Sequence, residues 1–506
     1  MNARAVILAE SNRSNTPDTP ATFPVNYRSL GAHVVKNDFA ELGIDATVID
    51  FCFHFNQEDL VNGVVNYLAN TDTQYICISA TLSQGLDRYY IGLAKEIKNK
   101  LPNAKIFYGG KRRIQLKEMN YFCDVDAIFL GRTKEMLKSY IDGNDMSKYI
   151  QNPDYPSIVV NNTLDYDIEK AISFTLFKDD DFLMSTDVIG FEVALGCKFN
   201  CSFCNYPLRG FKTLYMNCEE QLYYTMQHAY DTYGITTFYA SDDTLNESDE
   251  KLQLLMDVVK RLNFKPRIAG FFRLDVMAQR PHQIDMLKEI GINSVVFGVE
   301  SLSKAAIKGT RKKSTKDDIE YVVGRLRREI PDCWVSSGFI WGLVNDNYKE
   351  FKSNLEYLED NMLMDNVGST PLIITAFHHQ QGNDKFIAWE EGAFSSLDME
   401  PEKHGYNIEP NTYNWFNNYT TEQESKDASN KYVSGLQKRS TVTTHIEGFT
   451  WQSVLSQGIA ASRSDWYTQM NELGSRGLTQ KSRFISNNNI KKYVNKKTKW
   501  LLNEQI

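Results

Sequence analysis

Three cysteines within eight positions are the residues of this chain best suited to chemistry. Cys197, Cys201 and Cys204 are separated by three and then two residues, in the run Gly196-Cys197-Lys198-Phe199-Asn200-Cys201-Ser202-Phe203-Cys204. The largely apolar stretch Ile189 to Leu195 leads straight into them. Thiolates bind soft metals, so a triad launched from a strand predicts a metal-binding loop with Cys197, Cys201 and Cys204 as ligands. Zinc normally takes a fourth protein ligand, and no second Cys-x-x-Cys or His pair follows at the spacing of a structural zinc site. A four-iron cluster on three cysteines leaves one iron open to a small molecule that can receive an electron. A structural zinc site, or cysteines with no common role, is the other reading.

The Cys-x3-Cys-x2-Cys spacing, with aromatic Phe203 before the last cysteine, resembles the radical S-adenosylmethionine (SAM) superfamily. The resemblance implies a [4Fe-4S] cluster whose open iron binds the amino and carboxyl groups of SAM. Reductive cleavage then gives a 5′-deoxyadenosyl radical. It also implies a one-electron reductant such as flavodoxin or ferredoxin as partner, and a partial (β/α)6 barrel around the site.

Strand-helix alternation supports such a barrel. Six strands are expected at 189–195, 236–241, 267–272, 294–299, 334–340 and 371–376, with helices such as Gln221 to Tyr233, Leu252 to Leu262 and Gln283 to Ile290 between them. Chemistry on βα units lies at the carboxyl ends of the strands. After the second strand come Asp242 and Asp243, whose carboxylates suit the SAM ammonium or a helix N-cap. Arg273 ends the third strand and suits a carboxylate of SAM or substrate, or an ion pair with Asp275. Glu300 and Ser301 resemble the superfamily's Gly-x-Glu-Ser segment, which contacts the ribose and methionine of SAM. Gly338 and Ile340 resemble its Gly-x-Ile-x-Gly segment, which packs on adenine. Thr310 to Lys313 reads as a solvated loop or a basic turn, and His378 and His379 as loop histidines or acid-base groups.

The first 141 residues alternate in the same way. Strands are read at Ala5 to Ala9, Ala46 to Phe51, Tyr75 to Ser79, Lys105 to Tyr108 and, last, Asp126 to Leu130, which predicts a doubly wound, flavodoxin-like sheet. The succession resembles the cobalamin-binding domain preceding the barrel in one large group of radical SAM enzymes. The matching residues are Phe23-Pro24, Leu30-Gly31, Gly43 through Asp50, Ser79, Gly109, Gly110, and Gly131 with Glu135. The resemblance implies cobalamin, with Ser79, Gly109, Gly110 and Gly131 lining it. One departure is clear: the group's Asp-x-His-x-x-Gly motif is missing, and residues 10–17 contain no histidine. Cys52 and His54 are conceivable ligands or ordinary buried side chains. Without cobalamin the domain is a scaffold or substrate platform.

Residues 142–187 lack sustained periodicity and read as a linker. The radical SAM partial barrel spans 188–384, and 385–506 form an α-rich extension. That extension carries an aromatic patch (Tyr406, Tyr413, Trp415, Phe416, Tyr419), a helical stretch at 421–437 and a basic tail. Eight Lys or Arg and no acidic residue lie between Arg476 and Lys499, which reads as a solvated or partly disordered terminus that can touch phosphates. The net charge of -8 over 506 residues opposes general nucleic-acid binding, so any such contact is confined to the tail. No apolar run approaches the ~18 residues of a membrane span. With no signal-peptide core and scattered remaining cysteines, a cytoplasmic location is expected.

The function these features imply is a radical SAM enzyme. A cobalamin-dependent methyltransferase, or an enzyme rearranging an unactivated carbon, is the first reading, acting on a small molecule or a modified polymer. A cobalamin-independent enzyme of cyclisation or other C–H functionalisation is the second. A non-enzymatic metal-binding protein is the third.

Overall fold

The computed structural model describes residues 3–9, 15–16, 19–20, 26–79, 87–110, 113–161, 175, 177–205, 215–390, 392–436 and 446–504. Two six-stranded parallel sheets organise it. The first contains β1 (Ala3–Ala9), β2 (Asp45–Ile49), β3 (Thr73–Ser79), β4 (Lys105–Gly109), β5 (Ala127–Gly131) and β6 (Ile158–Asn161), in spatial order β2-β1-β3-β4-β5-β6. Its strands read as unbroken apolar runs because both faces are covered. In β1, Val6 and Leu8 join one core with Leu60 and Val64, while Ala5 and Ile7 join another with Ala32 and Phe39. The helices Leu30–Glu41 and Gln57–Leu68 start where Ser29 and Asn56 accept backbone N–H bonds at the N-cap.

The second sheet runs in sequence order: β7 (Ile189–Phe191), β8 (Thr237–Ala240), β9 (Arg267–Phe272), β10 (Ile292–Glu300), β11 (Trp334–Trp341) and β12 (Asn366–Pro371). All its pairings are parallel and each strand but the last is followed by α-helix before the next, the arrangement of a partial (β/α)6 barrel. Side chains alternate along β10: Val295, Phe297 and Val299 enter the core beneath the outer helices. Ser294 and Val296 instead meet Gly448 at the start of the helix Gly448–Ser456, where Ser294 Oγ donates to the Gly448 carbonyl at 2.8 Å. Phe449 packs against Tyr239 and Phe271, and Trp451 stacks on Trp334 at 4.3 Å. This helix closes the barrel interior below the carboxyl ends of the strands.

Three expectations are corrected. The last barrel strand is Asn366–Pro371, five residues earlier than its apolar signal. Leu372, Ile374 and Ala376 alternate like a strand, but they bury themselves beyond the strand end with Leu343, Tyr406 and Trp415. The stretch 142–187 is more than a linker, because it contributes β6 to the edge of the first sheet. Its Asp179–Asp181 turn is also held by tertiary ion pairs: Lys36 lies 2.8 Å from Asp180 and 2.7 Å from Asp181.

The basic tail is the third. It belongs to the helix Arg463–Leu501, which breaks at Gly474 and packs on both sheets' layers. Trp466, Met470 and Leu478 join Trp334 and Trp451, while Ile490, Tyr493, Val494 and Leu501 complete the core of the first sheet. A Cβ on Gly63 would sit 2.7 Å from Leu501, so glycine there admits the close approach. Lys497 is fully buried, donating to Thr47 Oγ1 at 2.6 Å and to the Asp180 carbonyl at 2.7 Å, and desolvation lowers it to about 8. Buried Arg28 completes this junction, 2.8 Å from Asp187 and 3.3 Å from Asp50. The aromatic patch divides: Tyr406 and Trp415 are core, bonded to the Gly342 and Leu372 carbonyls, while Phe416 and Tyr419 are exposed. Among the described residues no helix is long and apolar enough to cross a membrane.

Candidate active site

The cysteine loop leaves the barrel just past β7. Gly196 has φ +105°, a left-handed conformation that glycine adopts without strain, and turns the chain into Cys197. Neighbouring strand ends then pin the loop from several sides. Glu247 accepts from the Lys198 backbone N–H at 3.3 Å, and its own carbonyl accepts from Lys198 Nζ. Ser202 Oγ donates to the Gly309 carbonyl at 2.9 Å, and the Ser202 carbonyl accepts from the Leu397 N–H at 3.2 Å. Arg311 reaches the Asn200 carbonyl at 3.3 Å.

Asp242 is placed differently from expectation. It is fully buried and accepts from the Val193 and Ala194 N–H groups at 2.9 and 2.8 Å, with Lys251 2.8 Å away. Lys251 also lies 3.0 Å from Glu247. Both oxygens of Asp242 therefore hold the entry to the cysteine loop rather than facing a ligand. Asp243, half-buried, and Glu247 are the carboxylates that act on the Cys197 thiol. Burial pushes the Cys197 thiol up to about 11, with Glu247, Asp243 and Cys204 adding to the rise.

Arg273 is held by Asp275 in a bidentate pair, with Nε 3.0 Å from Oδ1 and Nη2 2.7 Å from Oδ2. Its Nη1 points at Cys201 Sγ, 3.3 Å away. Glu300 sits at an irregularity in the β10–β11 pairing with φ +69°, unusual for a side chain of this size. Lys312 lies 2.7 Å from Glu300 Oε1 and donates to the Gly298 carbonyl at 2.7 Å. The basic turn is thus folded inward at Lys312 rather than solvated. Ser301 is buried and lies beside Asp346, whose carboxyl burial pushes up to about 7. Open space surrounds the position a Cβ would take on Gly338. Ile340 and Phe203 pack against the same cluster, so the fifth strand end and the cysteine loop converge there.

On the first sheet, Ser79 and Gly109 are partners in register at the carboxyl ends of β3 and β4. Ser79 Oγ lies 3.9 Å from where Gly31 would carry a Cβ. Gly110 and Gly131 have φ +104° and +87°, and a Cβ on Gly131 would strike the Asn161 carbonyl at 2.5 Å, so only glycine fits. Ala80, Thr81, Phe23-Pro24 and most of the loop 10–17 lie outside the described residues. Cys52 is an ordinary buried thiol donating to the Ile49 carbonyl at 3.2 Å. His379 pairs with Glu402 at 3.1 Å, and exposed His378 stands at the same turn.

The two sets of strand ends meet. Arg132, following β5, lies 3.6 Å from Glu192, which follows β7. Arg113, beyond β4, donates to Thr375 beyond β12 at 3.1 Å. The strand Arg113–Gln115 pairs antiparallel with Phe386–Trp389 of the extension.

Residues 191–358 match the family model described as the Radical SAM superfamily. The chain carries a radical SAM domain. A curated relative, bacteriochlorophyllide d C-8(2)-methyltransferase of Chlorobaculum tepidum, is 22% identical over 285 residues, 53% of this chain and 60% of the relative. The chain thus spans about three fifths of that relative's length. Among solved structures, the radical SAM methyltransferase TsrM from Kitasatospora setae, with tryptophan substrate and a SAM analogue, has a TM-score of 0.55 at 14% identity, covering 73% of each chain. The cobalamin-dependent radical SAM enzyme OxsB with aqua-cobalamin has a TM-score of 0.55 at 10% identity, covering 99% of this chain and 84% of that one. At these identities the structures show a shared fold: a cobalamin-domain-like sheet, a radical SAM barrel and an extension.

Members of the superfamily use a [4Fe-4S] cluster and SAM, and the donor set of the radical SAM domain fits them. Three cysteines lie on one nine-residue loop, none in a disulfide. Three thiolates on one short loop can each ligate a different iron of a cubane, which leaves the fourth iron open. Lys251, Glu247 and Lys312 were not signalled by any motif. Glu247 precedes the N-cap Ser248 of the helix Asp249–Arg261, and its i,i+4 spacing to Lys251 was the one legible trace of that pair.

Proposed function

We propose that this chain is a cobalamin-dependent radical SAM enzyme that methylates or rearranges an unactivated carbon of a small molecule or modified polymer. One observation carries the reading: the loops leaving the carboxyl ends of both sheets touch, through Arg132–Glu192 and Arg113–Thr375. Ligands of parallel sheets sit at those ends, so a group on the first sheet and one on the cysteine loop would face a common space. The methyltransferase relative and the cobalamin-bound neighbour support the same assignment.

When bound, the cluster supplies one electron to cleave SAM to a 5′-deoxyadenosyl radical, and cobalamin supplies a transferable methyl group. The chain's own part is positioning. Cys197, Cys201 and Cys204 would hold the cluster. Glu300, oriented by Lys312, and Ser301 would meet the ribose and methionine of SAM. The open side of Gly338 would admit the adenine, with Ile340 against it. Ser79, Gly109, Gly110 and Gly131 would leave room for the corrin. A one-electron donor such as a flavodoxin or ferredoxin is the reductant this chemistry requires. A cytoplasmic setting suits eight cysteines none of which is in a disulfide.

The missing histidine motif favours a second reading, in which the N-terminal sheet is a scaffold and the radical acts without cobalamin. Anaerobic reconstitution with iron and sulfide decides. A four-iron spectrum, 5′-deoxyadenosine from SAM and reductant, and a retained corrinoid chromophore are expected. Loss of the chromophore alone selects the scaffold reading. Absence of both cluster and 5′-deoxyadenosine overturns the enzyme assignment.

A further inference from the structure

We infer that Arg273 sets the reduction potential of the cluster carried by the cysteine loop, acting through Cys201 rather than as a ligand of SAM. The inference rests on the cluster reading above and concerns what one side chain does to it.

The geometry of Arg273 is overdetermined. Asn246 fixes its backbone on both sides, accepting from the Arg273 N–H at 2.8 Å and donating to its carbonyl at 3.0 Å. Asp275 fixes the guanidinium, because two N–H groups on one edge of the fork are bonded to its two oxygens. The flat of the guanidinium lies 3.9 Å from the centre of the Phe199 ring, inside the cysteine loop itself. Outside that pair, Nη1 is directed at Cys201 Sγ from 3.3 Å. The residue is only 6% exposed, so water does little to screen this contact.

Such an arrangement suits a tuning residue better than a substrate clamp. A carboxylate ligand is best gripped by a free edge of the guanidinium fork, and Asp275 already occupies one such edge. A hydrogen bond to a cluster thiolate withdraws electron density from sulfur, and a fixed positive charge stabilises the added electron of the reduced form. Both raise the potential. Asp275 offsets part of the charge while holding the donor in place. The consequence is a cluster easier to reduce before SAM arrives.

The test is an EPR-monitored redox titration of the reconstituted full-length chain without SAM, comparing the parent with R273M and R273K. R273M is expected to shift the midpoint negative, with at least a tenfold lower reduced-to-oxidised ratio at a fixed poise, about 59 mV for one electron. R273K keeps the charge but loses the planar fork, so a smaller shift in the same direction is expected. It also supplies the measurement should R273M fail to retain iron. Equilibrium dialysis with SAM is run alongside. Midpoints equal to the parent's in the variants that hold a cluster would overturn the inference. A fall in SAM affinity with those unchanged midpoints would identify Arg273 as a SAM ligand instead. If the parent itself forms no four-iron cluster, the functional reading fails and the inference that rests on it falls with it.

Discussion

Arg132 and Glu192 lie 3.6 Å apart, one on the loop leaving β5 and the other just past β7, two residues from where the β-structure continues toward the cysteines. They tie the glycine loops of the first sheet to the entry of the cysteine loop. Arg132→Ala is expected to lower stability by about 1 kcal/mol, the upper end for an exposed pair, since Glu192 is buried and Arg132 only partly exposed. It should also raise amide exchange at 132–141 and at 192–196 together. Exchange rising in one segment alone would show that the contact does not couple them.

The cysteine triad predicts its own separation of fold from function. Cys201→Ala should abolish the four-iron absorbance and 5′-deoxyadenosine formation, while the far-ultraviolet circular dichroism stays that of the parent. A variant still cleaving SAM at the parent rate would remove the triad from the mechanism.

Lys251 stands between Asp242 and Glu247 with no exposed surface. Lys251→Met leaves two buried carboxylates without their cation, at a cost of roughly 3–5 kcal/mol. Lys352→Met removes the exposed partner of Glu356 and should change stability by at most about 0.5 kcal/mol. Denaturant midpoints of the two variants give the contrast directly.

Two glycines of adjacent strands should respond oppositely to alanine. Gly338→Ala meets open space, so melting should be unchanged while the apparent affinity for SAM falls. Gly298→Ala would place a Cβ 2.5 Å from Lys312 Nζ and 2.6 Å from Glu300 Oε1, forcing that pair apart. Its melting temperature should drop. Equal melting in both variants would contradict the packing around Glu300.

Asp38 and Asp346 carry a pH signature. Burial pushes each up to about 7 from 3.8, so between about pH 4 and 7 the folded chain keeps protons that the unfolded chain has lost. Their contribution to stability is therefore complete at low pH and falls as pH rises through that window, by an order-of-magnitude figure of about 4 kcal/mol for each group. The double variant D38N/D346N should flatten this fall in urea titrations. A slope as steep as the parent's would assign it to other groups.

Much of the architecture was legible in the sequence because parallel sheets covered on both faces write themselves as apolar runs separated by helices. The cysteine spacing was legible for a different reason, since few structures need three thiols so close. What escaped depended on distant partners. Asn366–Pro371 is a polar strand next to an apolar impostor, and only packing against Tyr406 and Trp415 explains the choice. Lys312 looked like any charged turn until Glu300 lay opposite it. The tail looked like a solvated cation run because its buried face, Ile490, Tyr493, Val494 and Lys497, is interleaved with exposed lysines.

That tail has a consequence for how the molecule is made. The helix Gly448–Ser456 closes the barrel interior, and Tyr493 to Leu501 finish the core of the first sheet, yet both are synthesised after every strand they cover. Domains of a growing chain ordinarily fold from the N-terminus as they emerge. Here the first sheet waits more than 300 residues for its last layer. Assembly of both halves is therefore a late event in the folding of the chain.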